Sequence, residues 1–214
     1  MHQPLVKRST REDILAASVR LFARHGYEGV SMRAIAAGVG IQAPALYYHF
    51  PDKRSLYLSV MAHAVTDRLA GATTALHGSA PPLVRLQRFV ANLVEDLSGD
   101  PDLLLLLQRE RLDGDEERQR LLVKEVFEAP FVALMGVMKE IAPDRDAHLL
   151  AQSVIGLVMY HLEAMPMFRF IPGWRPEHGR PDRLARHVWG LLKAALSGES
   201  AETGMGLHER GVGD

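Results

Sequence analysis

The stretch from Ser31 to His49 constrains the fold more than any other: a short helical segment, the turn Gly38-Val39-Gly40, then a second short segment. Two short helices joined by a tight glycine-containing turn form a helix-turn-helix. Ser31 is a good N-cap for the first helix, predicted over Met32–Ala37 and broken by the glycine pair. The second is predicted from near Ile41 to His49, with Pro44 in its first turn, where a missing N–H costs nothing. Ala34, Ala36 and Ala37 keep the first helix thin enough for a close crossing, while Ile35, Val39, Ile41 and Leu46 supply a small core. A helix over residues 10–25 closes that core with Leu21 and Phe22; Thr10 caps it, and Gly26 suits the left-handed position that ends it. Tyr27 and Val30 pack beneath it, and after Phe50-Pro51 a further helix begins at Lys53, capped by Asp52.

The second helix of the pair exposes an unusual surface. Gln42, Ala43, Pro44, Ala45, Tyr47, Tyr48 and His49 include no acid, whereas an idle solvated helix carries Glu and Lys. Small residues let a helix approach a groove closely. Alanine or a proline ring touches a thymine methyl, and Gln reads adenine edges. Tyrosine hydroxyls donate to phosphate oxygens. Lys53 with free backbone N–H groups at the start of its helix makes a phosphate clamp. Lys7 and Arg8 form a basic arm ahead of the first helix. Tyr48 and Phe50 are assigned to the core, because this helix needs a buried face. Charge agrees with a polyanion partner for this part alone: residues 1–54 carry eight Lys/Arg against four acids, and the remaining 160 residues carry 17 against 22.

The rest of the chain reads as helix throughout. Few segments alternate at period two, and Ala and Leu are abundant. Helices are expected from 53 to about 76, over 82–98, over 102–112, from 115 to 141 with a kink at Pro130, from Pro143-Asp144 to about 168, and over 182–196. Breaks are expected at His77–Pro82, at Met165-Pro166-Met167 and over Phe170–Pro181. The tail from Gly198 reads as loose.

Several chemistries lack their residues. The 214-residue chain has no cysteine, which removes a disulfide framework, a thiolate zinc site and a cysteine nucleophile, and fits a cytoplasmic location. The run Leu103–Leu107 is far too short to span a bilayer, and MHQPLVKRST has no apolar core of a signal peptide. No histidine pair has the i,i+4 spacing of a helical metal site. There is no GxSxG elbow, no P-loop and no dinucleotide fingerprint. No enzyme, metal or cofactor is therefore expected.

In the C-terminal part, Phe89, Leu93, Leu107, Phe127, Phe131, Met135, Met159 and Tyr160 fall on inner faces. They are either an ordinary core or the lining of a ligand cavity, to which methionines would lend adaptability. Arg109 is read as a partner for an acidic head group or as a surface ion pair. Ser153, Gly156 and Leu157 on one helix, and Leu184, His187, Val188 and Leu191 on the last, either cover their own core or permit close approach of a second copy.

ILAASVRLFARHGYEGVSMRAIAAGVGIQAPALYYHFPDKRSLYLSVM resembles the N-terminal domain of the tetracycline-repressor (TetR) family, with LFARHGYEGVSMRAIA and LYYHFPDKRSLY in order and at the expected spacing. The resemblance covers about residues 10–60. It implies an all-α homodimer that binds operator DNA and usually represses, released by a small molecule in the C-terminal domain. It implies DNA contacts from Ser31 and Arg33, base or backbone contacts from Gln42, Ala43, Pro44 and Ala45, and phosphate contacts from Tyr47, His49 and Lys53. Gln42 and Ala45 depart from the family, which often has Ser or Thr at the first and a hydroxyl at the second. The resemblance implies that the last two long helices pair with their symmetry mates in a four-helix interface. The expectation is thus a three-helix helix-turn-helix DNA-binding domain over 1–55, a helical ligand-binding and dimerisation domain over 56–198, and a tail over 199–214. A protein-docking adaptor built on the same motif is the alternative.

Overall fold

The computed structural model describes residues 11–113 and 115–197; Lys7, Arg8, Thr10 and the tail lie outside them. Eleven α-helices make up the described residues, with no strand among them. The first, α1 (Arg11–His25), buries Ile14, Leu15, Ser18, Val19, Phe22 and Ala23. Ser18 is tolerated there because its hydroxyl donates to the Ile14 carbonyl at 2.6 Å. Gly26 ends the helix at φ +70°, as its place in the sequence suggests.

Next, α2 (Met32–Val39) is two residues longer at its C-terminus than the glycine pair suggests. Gly38 lies inside the helix, where an added Cβ would stand 3.1 Å from Leu21 Cδ1. It therefore serves the close crossing of α1 and α2 and terminates nothing. Gly40 alone stops the helix, at φ +77°, with Gly40 N–H donating to Ala37 and Ile41 N–H to Ala36. Those two bonds are the Schellman pattern. Ser31 caps the front, accepting the Ala34 N–H at 3.1 Å. After α2 comes α3 (Ala43–His49), whose N-cap Gln42 makes no side-chain capping bond.

Asp52 opens α4 (Lys53–Arg68) with a reciprocal capping box: its carboxylate accepts the Ser55 N–H at 2.7 Å, and Asp52 N–H donates to Ser55 Oγ. The helix does not continue to residue 76. It breaks at Leu69, and a separate α5 (Ala70–Ala75) follows. The cause is tertiary. Small residues let α5 lie tightly on α6 (Pro82–Gly99), where Asn92 donates to the Gly71 carbonyl at 2.9 Å and Asp96 accepts the Ala72 N–H. α6 is the central strut of the body, burying Leu86, Phe89, Val90, Leu93, Val94 and Leu97 at helical spacing.

Beyond it run α7 (Pro101–Asp113), α8 (Glu116–Leu122) and α9 (Glu128–Ile141). The irregularity expected at Pro130 lies upstream, as a π-turn over Val123–Phe127 in which Glu128 N–H reaches back to Val123. Pro130 stands in the first turn of α9 and has no N–H to give the preceding turn, which widens instead of kinking. α10 (Ala147–Phe168) starts later than Pro143-Asp144 suggests, because Asp146 is its cap and accepts the His148 and Leu149 N–H groups. It also passes through Pro166 without a break, since losing one donor that close to its end costs little. α11 (Pro181–Ser197) packs across α6 and α10.

Candidate nucleic-acid interface and body cavity

At about 100° per residue, Pro44 and Tyr48 fall opposite Leu46 on α3. Leu46 is fully buried, and Gln42, Pro44, Ala45 and Tyr47 are exposed, with Ala43 and His49 half-buried. Tyr48 is 86% exposed, so its assignment to the core was wrong, while Phe50 is buried. The helical wheel held that signal: a seven-residue helix pinned by Leu46 cannot also bury the residue two positions on. The exposed face of α3 is thus Gln42, Pro44, Ala45, Tyr47 and Tyr48, with no acidic side chain.

Ser31 and Arg33 are exposed at the start of α2. The Ser31 hydroxyl serves the helix as an acceptor, which leaves its O–H free to donate outward. The clamp at α4 differs from expectation in two respects. Lys53 Nζ lies 4.2 Å over the Tyr27 ring and 3.7 Å from Glu28 Oε2, so the cation rests against the head itself. The Asp52 carboxylate already takes the Ser55 N–H, and this bond holds the carboxyl below its ordinary range.

Behind this surface an aromatic cluster joins the head to the body. Tyr57 meets Phe22 and Tyr27 edge to face, at 4.9 and 5.1 Å between ring centroids. Its hydroxyl donates to Glu110 Oε2 of α7 at 2.7 Å. Arg118 Nε of α8 donates to the same carboxylate oxygen at 3.0 Å, and the guanidinium lies 4.4 Å over the Tyr27 ring. Glu110 and Arg118 are both buried, at 6% and 3% exposure. Burial, and then the bond to Glu110, hold the Tyr57 phenol protonated well above its usual range. Arg109 is neither a ligand partner nor a surface ion pair. It donates to the Ala23 and Arg24 carbonyls at 2.6 and 2.8 Å, closing the C-terminus of α1.

The body encloses a cavity of about 490 Å³ between α4, α5, α6, α7, α9 and α10. Of the sequence candidates, Phe89, Leu93, Leu107, Phe127, Phe131 and Met159 line it. Met135 packs into the core instead, and Tyr160 is 61% exposed on a separate groove toward α11. Met61, Val65, Leu69 and Ala72, around the break between α4 and α5, line the cavity too and are not among the sequence candidates. Its polar lining is Thr73, Glu110, Arg111 and Gln152.

On the outer face, Leu149, Ser153, Gly156 and Tyr160 of α10 are exposed, at a spacing that makes one stripe, with Gly156 also bordering the cavity, and His187 and Leu191 are exposed on α11. Leu157 is half-buried. Leu184 and Val188 are buried in this chain's own core, which leaves them little surface to offer a second copy. No helix among the described residues is long and apolar enough to cross a membrane.

The profile of bacterial regulatory proteins, tetR family, matches residues 14–60. Nucleoid occlusion factor SlmA of Sodalis glossinidius is 26% identical over 198 residues, covering 89% of this chain and 96% of the relative. Two solved structures share the fold. The transcriptional regulator FadR of Bacillus subtilis in complex with stearoyl-CoA gives a TM-score of 0.71 at 18% identity, covering 86% of this chain and 97% of that one. AibR in complex with isovaleryl coenzyme A and operator DNA gives 0.69 at 20% identity, covering 87% and 98%. Residues 14–60 thus carry the helix-turn-helix domain of the tetR family of bacterial regulatory proteins, and the helical architecture around them is shared with FadR and AibR.

Proposed function

We propose that the chain is a homodimeric, ligand-responsive repressor that leaves a pseudo-palindromic operator when a small, mostly apolar effector fills the body cavity. The observation that carries this reading is the pairing of an acid-free exposed helix, α3, with a largely apolar cavity bounded by α4, the helix that joins head to body. Gln42, Ala43, Pro44, Ala45 and Tyr47 face the major groove in this reading, with Tyr48 added to them. Ser31, Arg33, His49 and Lys53 meet the backbone, as do Lys7 and Arg8 ahead of α1. The division is a head over 1–55 and a body over 56–198.

The cavity volume falls within the range of small-molecule sites. The complexes of FadR with stearoyl-CoA and of AibR with isovaleryl coenzyme A support an acyl chain as the apolar effector. A ligand that prefers the conformation with misplaced heads shifts the population away from DNA. The stripe of Leu149, Ser153, Gly156 and Tyr160, with His187 and Leu191, is the face offered to the second copy.

Selection of bound sequences from random DNA tests the reading. It should enrich a pseudo-palindrome with half-sites about 34–36 Å apart if both heads use successive major grooves. Adding stearoyl-CoA should reduce retention of the enriched site. Absence of any enriched sequence refutes the reading. Binding to a protein partner with little salt dependence would favour the docking adaptor instead.

A further inference from the structure

Three consecutive residues of α7 point in three directions, as side chains about 100° apart on a helix must. Arg109 grips the carbonyls that end α1. Glu110 lines the cavity and holds both Tyr57 and Arg118. Arg111 lines the cavity and is ion-paired to Glu163 of α10. A single helical turn therefore touches the ligand space, the head and the outer helix. Glu110 is the buried carboxylate of the cavity lining, and its Oε2 takes two donors from opposite sides. A shift of α7 large enough to admit a ligand must stretch one of those bonds or drag Tyr57 with it. Tyr57 is packed against Phe22 and Tyr27, so it cannot move without the head.

We infer that Glu110 is the positioning residue through which the filled cavity acts on the head, by way of its bonds to Tyr57 and Arg118. Helix α4 receives the displacement at Tyr57, whose ring carries it to Phe22 and Tyr27 of the head. The inference rests on the reading that cavity occupancy controls the head, and it names the route.

The test needs neither an operator nor a known effector. Leu93→Trp fills the cavity from α6, and Ile155→Phe fills it from α10 should the first variant fold poorly. Hydrogen exchange of the Phe22–Gly26 amides is measured in the full chain, with thermal melting to confirm folding. Each filler should speed exchange there about fivefold or more, within the ordinary range of coupling between sites. In a Tyr57→Phe background, which keeps the ring but deletes its bond to Glu110, the filler should change exchange less than twofold. Equal acceleration in both backgrounds, or none in the parent chain, overturns the inference. DNA is absent from this measurement, so failure of the operator reading shows separately, in the selection from random sequences.

Discussion

The head and the body reach their helix ends by different means. In the head, most described boundaries are set by residues a few positions away: Ser31 for α2, Asp52 with Ser55 for α4, Gly26 and Gly40 for the stops, with Arg109 of α7 added at the end of α1. In the body, α5 begins at a break that local sequence does not announce, and its first turn is satisfied by Asp96 from the neighbouring α6. The head is a locally specified unit whose surface can be read residue by residue. The body is specified by contacts across the chain, and its cavity exists only where those contacts leave room. A helix-turn-helix surface needs fixed geometry, whereas a cavity is whatever space the packed helices leave.

The junction between the two regions offers the sharpest way to break this comparison. Arg118→Met would leave the Glu110 carboxylate buried with only Tyr57 as a donor, since removing one member of a buried pair costs on the order of 3–5 kcal/mol. Chemical denaturation should show that loss. A cost below about 1 kcal/mol would mean that the Arg118–Glu110 pair does not hold the head to the body.

The exposed surface of the head comes next. The double change Tyr47→Ala with Lys53→Ala should raise the operator Kd about 30-fold, near 2 kcal/mol, and lower the salt slope by about one for the lost cation. Fluorescence anisotropy across a salt series measures both. An unchanged Kd would remove α3 and the start of α4 from the interface.

The smallest effects separate a local cap from a distant one. Asp52→Ala should cost about 1 kcal/mol in thermal melting. Ser55 N–H holds the Asp52 carboxyl below its ordinary range, so its contribution is present above the unfolded value near pH 4 and fades as pH falls below it. Asp96 has the opposite sign. Burial, and then Glu95 beside it, raise its carboxyl, so its contribution is greatest below about pH 4 and declines as pH rises through the raised value. Asp96→Asn should therefore raise the melting temperature slightly at neutral pH, within about 2 °C, and flatten the profile between about pH 4 and neutrality. A fall at neutral pH would show that the charge on Asp96 is needed by α5.

Much of the head was legible because capping and turn chemistry act over three or four residues. Ser31, Asp52 and Gly26 each do in the structure what their position suggests. Two misreadings there have plain causes. Gly38 was taken for a breaker when its lack of a Cβ serves packing against Leu21. Tyr48 is assigned to the core on the need for a buried face, although the phase set by Leu46 turns it outward. In the body, apolar spacing identified α6 and six of the cavity residues, but nothing in residue type separated Met159, which lines the space, from Met135, which does not. Arg109 reads as a ligand partner or a surface ion pair and Glu110 carries no sequence signal, because their partners Ala23 and Tyr57 lie far away in sequence.

Sequence alone determined the helical class, the helix-turn-helix and the acid-free character of α3, since each rests on propensity, caps or composition within one or two turns. Only the tertiary structure decided where α4 stops, where the cavity opens and which charge joins head to body. Those features depend on which side chains meet across tens of residues, and apolar periodicity gives the buried face of a helix without naming what lies against it.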